Sequence, residues 1–137
     1  MDCVFCKIIN KEISSYTIYE DDESVAILDI HPQSPGHAMI LPRFHAENIL
    51  GLPEDKVGAV FKAAKRVTRM LNNALKPDGF TIGINHGRAS GSTVDHLHIH
   101  IMPRFTTDGG DSVHSVVNNP PKESLEEIIK KIKAVGF

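Results

Sequence analysis

Residues 96–102 read His96-Leu97-His98-Ile99-His100-Ile101-Met102, three imidazoles alternating with branched apolar side chains. A period of two is the period of a β-strand, whose successive side chains point to opposite faces. It sends Leu97, Ile99 and Ile101 toward a core and puts His96, His98 and His100 on the other face, with neighbouring Cβ atoms roughly 6.5–7 Å apart. A neutral imidazole, with an unperturbed pKa of about 6.5, is an available nucleophile at neutral pH and also the commonest metal ligand. Such a row can hold a metal, act on a substrate, or divide those tasks. Metal binding asks for further ligands from a neighbouring element. Nucleophilic work asks that the far ring nitrogen donate to a fixed acceptor, and that donors stand ready for charge on the electrophile.

Two other stretches bear on that choice. Asn85-His86-Gly87-Arg88-Ala89-Ser90-Gly91-Ser92-Thr93-Val94 precedes the row, with two glycines and three hydroxyl residues. Glycine lets the backbone turn its N–H groups toward a ligand, so this loop could cradle a phosphate; a plain hairpin loop uses the same residues. The two cysteines, Cys3 and Cys6, form a Cys-x-x-Cys. That spacing reads as a metal-ligand pair or a redox pair, and no βαβ pattern follows it as a thioredoxin-like site needs. Two thiolates want two more ligands for tetrahedral zinc, which His37, His45 and the histidine row can offer.

The elements that must position these groups follow from period and punctuation. Residues 1–15 show no clear period beyond a short turn or helix. Tyr16–Tyr19 and Ser24–Ile30 are rich in strand formers around a polar Glu20–Glu23 turn, a hairpin pattern, and His37–Leu41 reads as a third strand ending at Pro42. Pro53 with Glu54 and Asp55 opens one long helix, in which Val57, Val60, Phe61, Ala64, Val67, Leu71, Ala74 and Leu75 recur at steps of three and four before Lys76-Pro77-Asp78-Gly79 stops it. Residues 80–85 form a fourth strand and the histidine row a fifth. Residues 106–121 are turn-rich and read as a long loop, where ligand contacts often lie. Ser124 to Glu127 gives a capping box for a C-terminal helix carrying Leu125, Ile128, Ile129 and Ile132 inward. The expectation is one α+β domain over residues 1–137, an antiparallel meander of about five strands with a central and a C-terminal helix.

Composition narrows the partners. The 137 residues are 41% apolar and 23% charged with a formal net charge of −2. That suits a globular protein and gives no electrostatic reason to expect a long nucleic acid, and it leaves a nucleotide-sized ligand open. No basic n-region with an apolar run and no membrane-length apolar segment occurs, so the expectation is a cytoplasmic protein without a membrane partner.

These residues together resemble the histidine-triad superfamily, whose signature is His-φ-His-φ-His-φ-φ with φ apolar. His96 to Met102 fits it at every position, and the resemblance extends to Phe5–Ile9, Leu28-Asp29-Ile30, Pro35-Gly36-His37 to Pro42 and the Asn85–Thr93 loop. It is especially similar to the Cys-x-x-Cys-bearing microbial members. The resemblance implies a hydrolase of purine nucleotide derivatives, phosphoramidates or dinucleoside polyphosphates, acting at the α-phosphorus. His98 would be the nucleophile, held in its tautomer by the His96 carbonyl, and would carry a covalent nucleotidyl intermediate that water hydrolyses to release AMP or GMP. His100 and His37 would lie beside the phosphate, with Asn85, Gly91 and Thr93 touching it or the leaving group. Asp29 would accept the ribose hydroxyls, and Phe5, Ile8, Ile27 and Ile30 would lie near the base. It also implies a homodimer and one structural zinc per chain on Cys3, Cys6, His45 and His96, with no metal in the chemical step. The Met102-Pro103-Arg104 that follows the row is more like the dinucleoside-polyphosphate branch than the phosphoramidase branch, which carries Gly-Gly there and a Trp-Pro-Pro tail. A nucleotidyltransferase using the same intermediate, and a zinc- or nucleotide-binding module without turnover, are the alternatives.

Overall fold

The alternating and helical periods of the chain build two cores, one on each face of a single sheet. The computed structural model describes residues 2–136. Strands β1 (Thr17–Glu20), β2 (Ser24–Leu28) and β3 (Ala38–Pro42) follow one another, and β4 (Gly79–Gly83) and β5 (Ile99–Arg104) come after the long helix. The order is β1-β2-β3-β5-β4, and every neighbouring pair is antiparallel. This is the expected five-stranded α+β fold, with one refinement: β5 sits between β3 and β4, so the histidine strand lies inside the sheet.

Helix α2 (Glu54–Leu75) starts after Pro53, with Glu54 and Asp55 at its positive end. It ends at Lys76, held left-handed at φ 51° with its N–H on the Asn72 carbonyl, directly before Pro77. Its Val60, Ala63, Ala64, Val67 and Leu71 are buried against Ala26, Ala38, Ile40, Ile99 and Ile101 of the sheet. Alanines on both sides let helix and strands approach closely, as interior packing density requires. Phe61 and Leu75, expected in the same stripe, stand at its edge, 45% and 40% exposed. On the opposite face the short helix α1 (Val4–Ile9) lays Phe5 and Ile9 on Val25, Ile27, Met39 and Leu41.

Two expectations need correction. The histidine row is not strand throughout: β5 begins at Ile99, leaving His96 to His98 outside it. The β3–β5 register stops at Ile40↔Ile99. Two steps on, Leu97 would face Pro42, which has no N–H for the Leu97 carbonyl and whose own carbonyl accepts from the His96 ring, and the Leu97 N–H donates to the Ala46 carbonyl at 2.7 Å. Leu97, Ile99 and Ile101 are nevertheless buried as expected. The second correction concerns α3 (Leu125–Val135). Ser124 Oγ caps it by accepting the Glu127 N–H, yet Leu125, Ile129 and Ile132 are 69%, 49% and 63% exposed. The stripe is amphipathic, but a period states only which residues share a face, and among the described residues no other element covers this one.

Candidate functional site

The fixed chemistry of backbone groups assigns the ring protons of two histidines. His98 Nδ1 lies 2.7 Å from the His96 carbonyl oxygen. A carbonyl only accepts, so Nδ1–H donates, and in the neutral form of the ring Nε2 is the bare nitrogen. His96 Nε2 lies 2.9 Å from the Pro42 carbonyl and must donate in the same way, leaving its Nδ1 bare. His98 is half-buried and stands edge-on to Phe5 and to His100, ring centroids 5.0 Å apart in both cases. His96 is fully buried, which separates it from His98 and His100, the two members of the row that line the cleft.

His96 belongs to a second cluster. Its Nδ1 lies 3.4 Å from Cys3 Sγ, 3.5 Å from Cys6 Sγ and 3.1 Å from His45 Nδ1, and Cys6 Sγ is 3.3 Å from that His45 nitrogen. Four ligand atoms converge within 4.8 Å of one another. Zinc–nitrogen bonds of ~2.0–2.1 Å and zinc–sulfur bonds of ~2.3 Å set tetrahedral edges of ~3.3–3.8 Å, which these separations approach. The donor set also suits a cation, because the bare His96 nitrogen faces both sulfurs and the His45 ring. Burial, and then the neighbouring Cys3, push the Cys6 thiol up to about 11, so at neutral pH the Cys6 sulfur keeps its proton unless a cation displaces it. The Cys3, Cys6, His45 and His96 cluster could therefore hold zinc.

On the cleft side, His37 is buried and its Nε2 lies 2.9 Å from His100 Nδ1 and 3.6 Å from Asp29 Oδ2. Burial holds His37 below the ordinary imidazole value against the opposing pull of Asp29. Burial, then the neighbouring His98 and His37, take His100 down to about 4. Both rings are thus neutral at pH 7. The sign for stability follows: below about 6.5 the unfolded chain binds protons that the folded chain refuses, so stability rises with pH from about 4 to about 6.5 and is lost on the way down. Urea midpoints measured across that window are expected to climb with pH, and less steeply in His100→Asn; equal slopes would show that His100 contributes nothing.

An open cleft of about 1640 Å³ runs from α1 across the outer faces of β4 and β5. It brings together the nucleotide-site residues expected from the sequence: Phe5, Ile8, Ile27, Asp29 and Ile30 at one side, His37, His98 and His100 at the floor, and Asn85, Gly91 and Thr93 on the glycine loop. Ile27 and Phe5 are buried walls, whereas Ile30 is 70% exposed at the rim. In the loop, Gly87 and Gly91 take φ of 82° and 95°, and Arg88 ties the turn to the Ser92 carbonyl and Asp95 carboxylate. Sequence reasoning missed the backbone participants. The Pro42 carbonyl and the Gln33 N–H, which donates to His37 Nδ1 at 3.1 Å, carry no residue-type signal. The far wall, Asp108 to Val117, comes from the loop in which ligand contacts were sought.

A five-stranded antiparallel sheet with His98 placed just ahead of β5, its Nδ1 on a main-chain carbonyl, beside a cysteine–histidine cluster, defines a class of histidine-row α+β domain. The HIT domain model matches residues 10–107, and the chain belongs to the HIT family. It is 39% identical over 131 residues to an uncharacterized HIT-like protein of Methanocaldococcus jannaschii, covering 96% of this chain and 98% of that one. It is 36% identical to an adenosine 5'-monophosphoramidase of Saccharomyces cerevisiae, covering 96% and 81%. Among solved structures it is similar to a Zn-bound histidine triad family protein from Mycobacterium smegmatis, with TM-score 0.75, 35% identity and coverage of 80% and 79%. Among the described residues, no helix is long and apolar enough to cross a membrane.

Proposed function

We propose that the protein is a nucleotide hydrolase in which His98 Nε2 attacks the α-phosphorus of a purine nucleotide derivative. The observation that carries this reading is the 2.7 Å bond from His98 Nδ1–H to the His96 carbonyl, which leaves Nε2 bare on the cleft. The N–P bond forms as the bond to the leaving group breaks, giving a nucleotidyl-His98 intermediate; water then displaces the imidazole and releases the nucleoside monophosphate. His100 stands beside the phosphoryl oxygens, and the Asn85–Thr93 loop offers N–H and hydroxyl donors to charge that spreads over them. Asp29 accepts the ribose hydroxyls, and Phe5, Ile8, Ile27 and Ile30 flank the base. Zinc on the Cys3, Cys6, His45 and His96 cluster would be structural, tying α1 to the segment before β5. A second copy of the chain is part of the proposal, supported by the unpaired edge of β4, where Ile82 is 46% exposed, and by the open stripe of α3.

The charge of the cleft favours one leaving group. Of its described lining residues only Arg104 carries a permanent positive charge, and Asp108 clamps that guanidinium with two bonds of 2.7 and 3.1 Å. Asp29 and Asp111 add negative charge with no lysine to balance them. A nucleoside di- or triphosphate leaving group brings several negative charges to such a surface, whereas an amine leaves without any. Adenosine 5'-phosphoramidate is therefore expected to show a kcat/KM at least about tenfold above that of diadenosine polyphosphates, a difference of only ~1.4 kcal/mol. The measurement is AMP release under matched conditions. A preference for the polyphosphate would remove the amine assignment, and no AMP from either compound would remove the hydrolase.

A further inference from the structure

Two clusters of this chain bring metal-ligating atoms within 4.8 Å: Cys3, Cys6, His45 and His96, and separately Asp29, His37 and His100. Hydrogen positions distinguish them. In the first, the Pro42 carbonyl forces the His96 proton onto Nε2, so the nitrogen that faces the other ligands is bare. In the second, the fixed end of the chain is a donor. The Gln33 N–H points at His37 Nδ1 from 3.1 Å, and an amide can only donate. His37 Nδ1 must then be bare, and the single proton of a neutral ring sits on Nε2, where it points into the cluster. His37 Nε2–H has one ring acceptor in reach, His100 Nδ1 at 2.9 Å, with Asp29 Oδ2 a more distant 3.6 Å. His100 Nδ1 therefore accepts, and its own proton lies on Nε2.

We infer that the main-chain amide of Gln33 sets the tautomers of His37 and His100 in series, presenting His100 Nε2–H to the cleft as a fixed donor and closing the Asp29–His37–His100 cluster to divalent metal. A cation there would need the Nε2 lone pair of His37, which moves that proton to Nδ1 and sets it against the Gln33 N–H, donor against donor. Burial keeps both rings neutral, so neither can satisfy the chain by carrying two protons. His98, His37 and Asp29 are the titratable groups that face His100. Gln33 is a positioning residue that acts through its backbone, and its turn is built to hold that amide still. The Asp29 N–H donates to the His37 carbonyl at 2.9 Å, the His37 N–H to the Ser34 carbonyl at 3.0 Å, and the His31 N–H to Asp29 Oδ1 at 2.9 Å. Gly36, at φ 86°, holds a left-handed conformation that other residues rarely adopt, and a Cβ there would collide with the end of the Leu75 side chain and press on Pro103. The value of a fixed donor to phosphoryl oxygen rests on the function proposed above; the tautomers do not.

The test is long-range 1H–15N correlation of the imidazole rings in the full chain labelled with 15N-histidine. At neutral pH, His37 and His100 are expected as Nε2–H tautomers and His98 as Nδ1–H. A protonated Nδ1 on His37 or His100, or an averaged mixture, overturns the inference whatever the enzyme hydrolyses. Gln33→Pro deletes the amide hydrogen and is expected to turn the His37 and His100 patterns into mixtures and to lower kcat for AMP release by about 100-fold, with KM little changed. Gln33→Ala keeps the amide and is expected to keep the wild-type ring pattern; if it scrambles the tautomers, the side chain and not the backbone is responsible. If the proline variant does not fold, titration of the zinc-loaded wild type with further Zn²⁺ decides alone. The His37 and His100 ring signals are expected to stay in place, and a second equivalent that shifts them together refutes the closed cluster. Correct tautomers in a protein that releases no AMP would overturn the proposed function and leave this inference standing.

Discussion

Replacing His98 by alanine is expected to lower kcat for AMP release by about 10⁴-fold or more, while nucleotide binding changes far less. Alanine removes a half-buried ring whose Nε2 is left bare on the cleft, and the two neighbouring imidazoles of the row point elsewhere. His100 Nδ1 is turned toward His37, and His96 Nδ1 toward the cysteine–histidine cluster. The loss is therefore expected to fall on bond formation to phosphorus, raising the barrier without touching Ile27 and Asp29, the cleft residues proposed to hold base and ribose. Wild type quenched during turnover with a labelled substrate is expected to carry the nucleotidyl label on protein, acid-labile as a phosphorus–nitrogen bond is; His98→Ala is expected to carry none. Equal rates in the two proteins would dismiss His98 as nucleophile. A label that persists on the variant would move the bond to another side chain.

How much of this was visible before any coordinates depends on what kind of group is involved. Side-chain period located the strands, the α2 stripe of Val60, Ala64, Val67 and Leu71, and the burial of Leu97, Ile99 and Ile101. Residue type then located the candidate ligands, and the fold brings Cys3 and Cys6 to His45 and His96 across 39 to 93 residues of sequence. Period could not show that His96 leaves the strand. That depends on Pro42 lacking an N–H and on a carbonyl that captures the His96 ring, both consequences of the β3 register. Nor could it show that the α3 stripe stays uncovered, because amphipathicity says nothing of the partner. The tautomers of His37 and His100 were the least legible of all, since Gln33 acts through an amide that every residue except proline possesses. The Pro103-Arg104 motif looked like a substrate feature, yet Arg104 is spent within the chain, on Asp108, Thr81 Oγ1 and the Asp111 carbonyl.

Removing the metal is expected to reach the active site through two residues of backbone. Wild type should contain about one zinc per chain, retained in His98→Ala and lost in Cys3→Ser and His45→Ala. Without the cation, two bare or competing imidazole nitrogens are left 3.1 Å apart beside buried sulfurs, and each unsatisfied polar group costs ~1–3 kcal/mol. A total loss of ~3 kcal/mol corresponds to a fall in Tm of roughly 10 °C for a domain of this size. The consequence for turnover is specific. The carbonyl that orients His98 belongs to His96, whose ring position is set by the cluster on one nitrogen and by Pro42 on the other. Loosening that ring frees the His96 main chain, and with it the acceptor that keeps the His98 proton on Nδ1. Cys3→Ser is accordingly expected to lower kcat more than it raises KM, and to let the His98 ring sample both tautomers in the 15N spectrum. Phe5 adds a second route, since Cys3 of the cluster is the N-cap of α1, and α1 carries the ring that packs 5.0 Å from His98. Zinc that disappears with His98 but survives Cys3→Ser would reverse the assignment, making the imidazole row the metal site. Zinc loss that leaves kcat and the His98 tautomer untouched would show that the cluster secures the N-terminal helix and does nothing for the nucleophile.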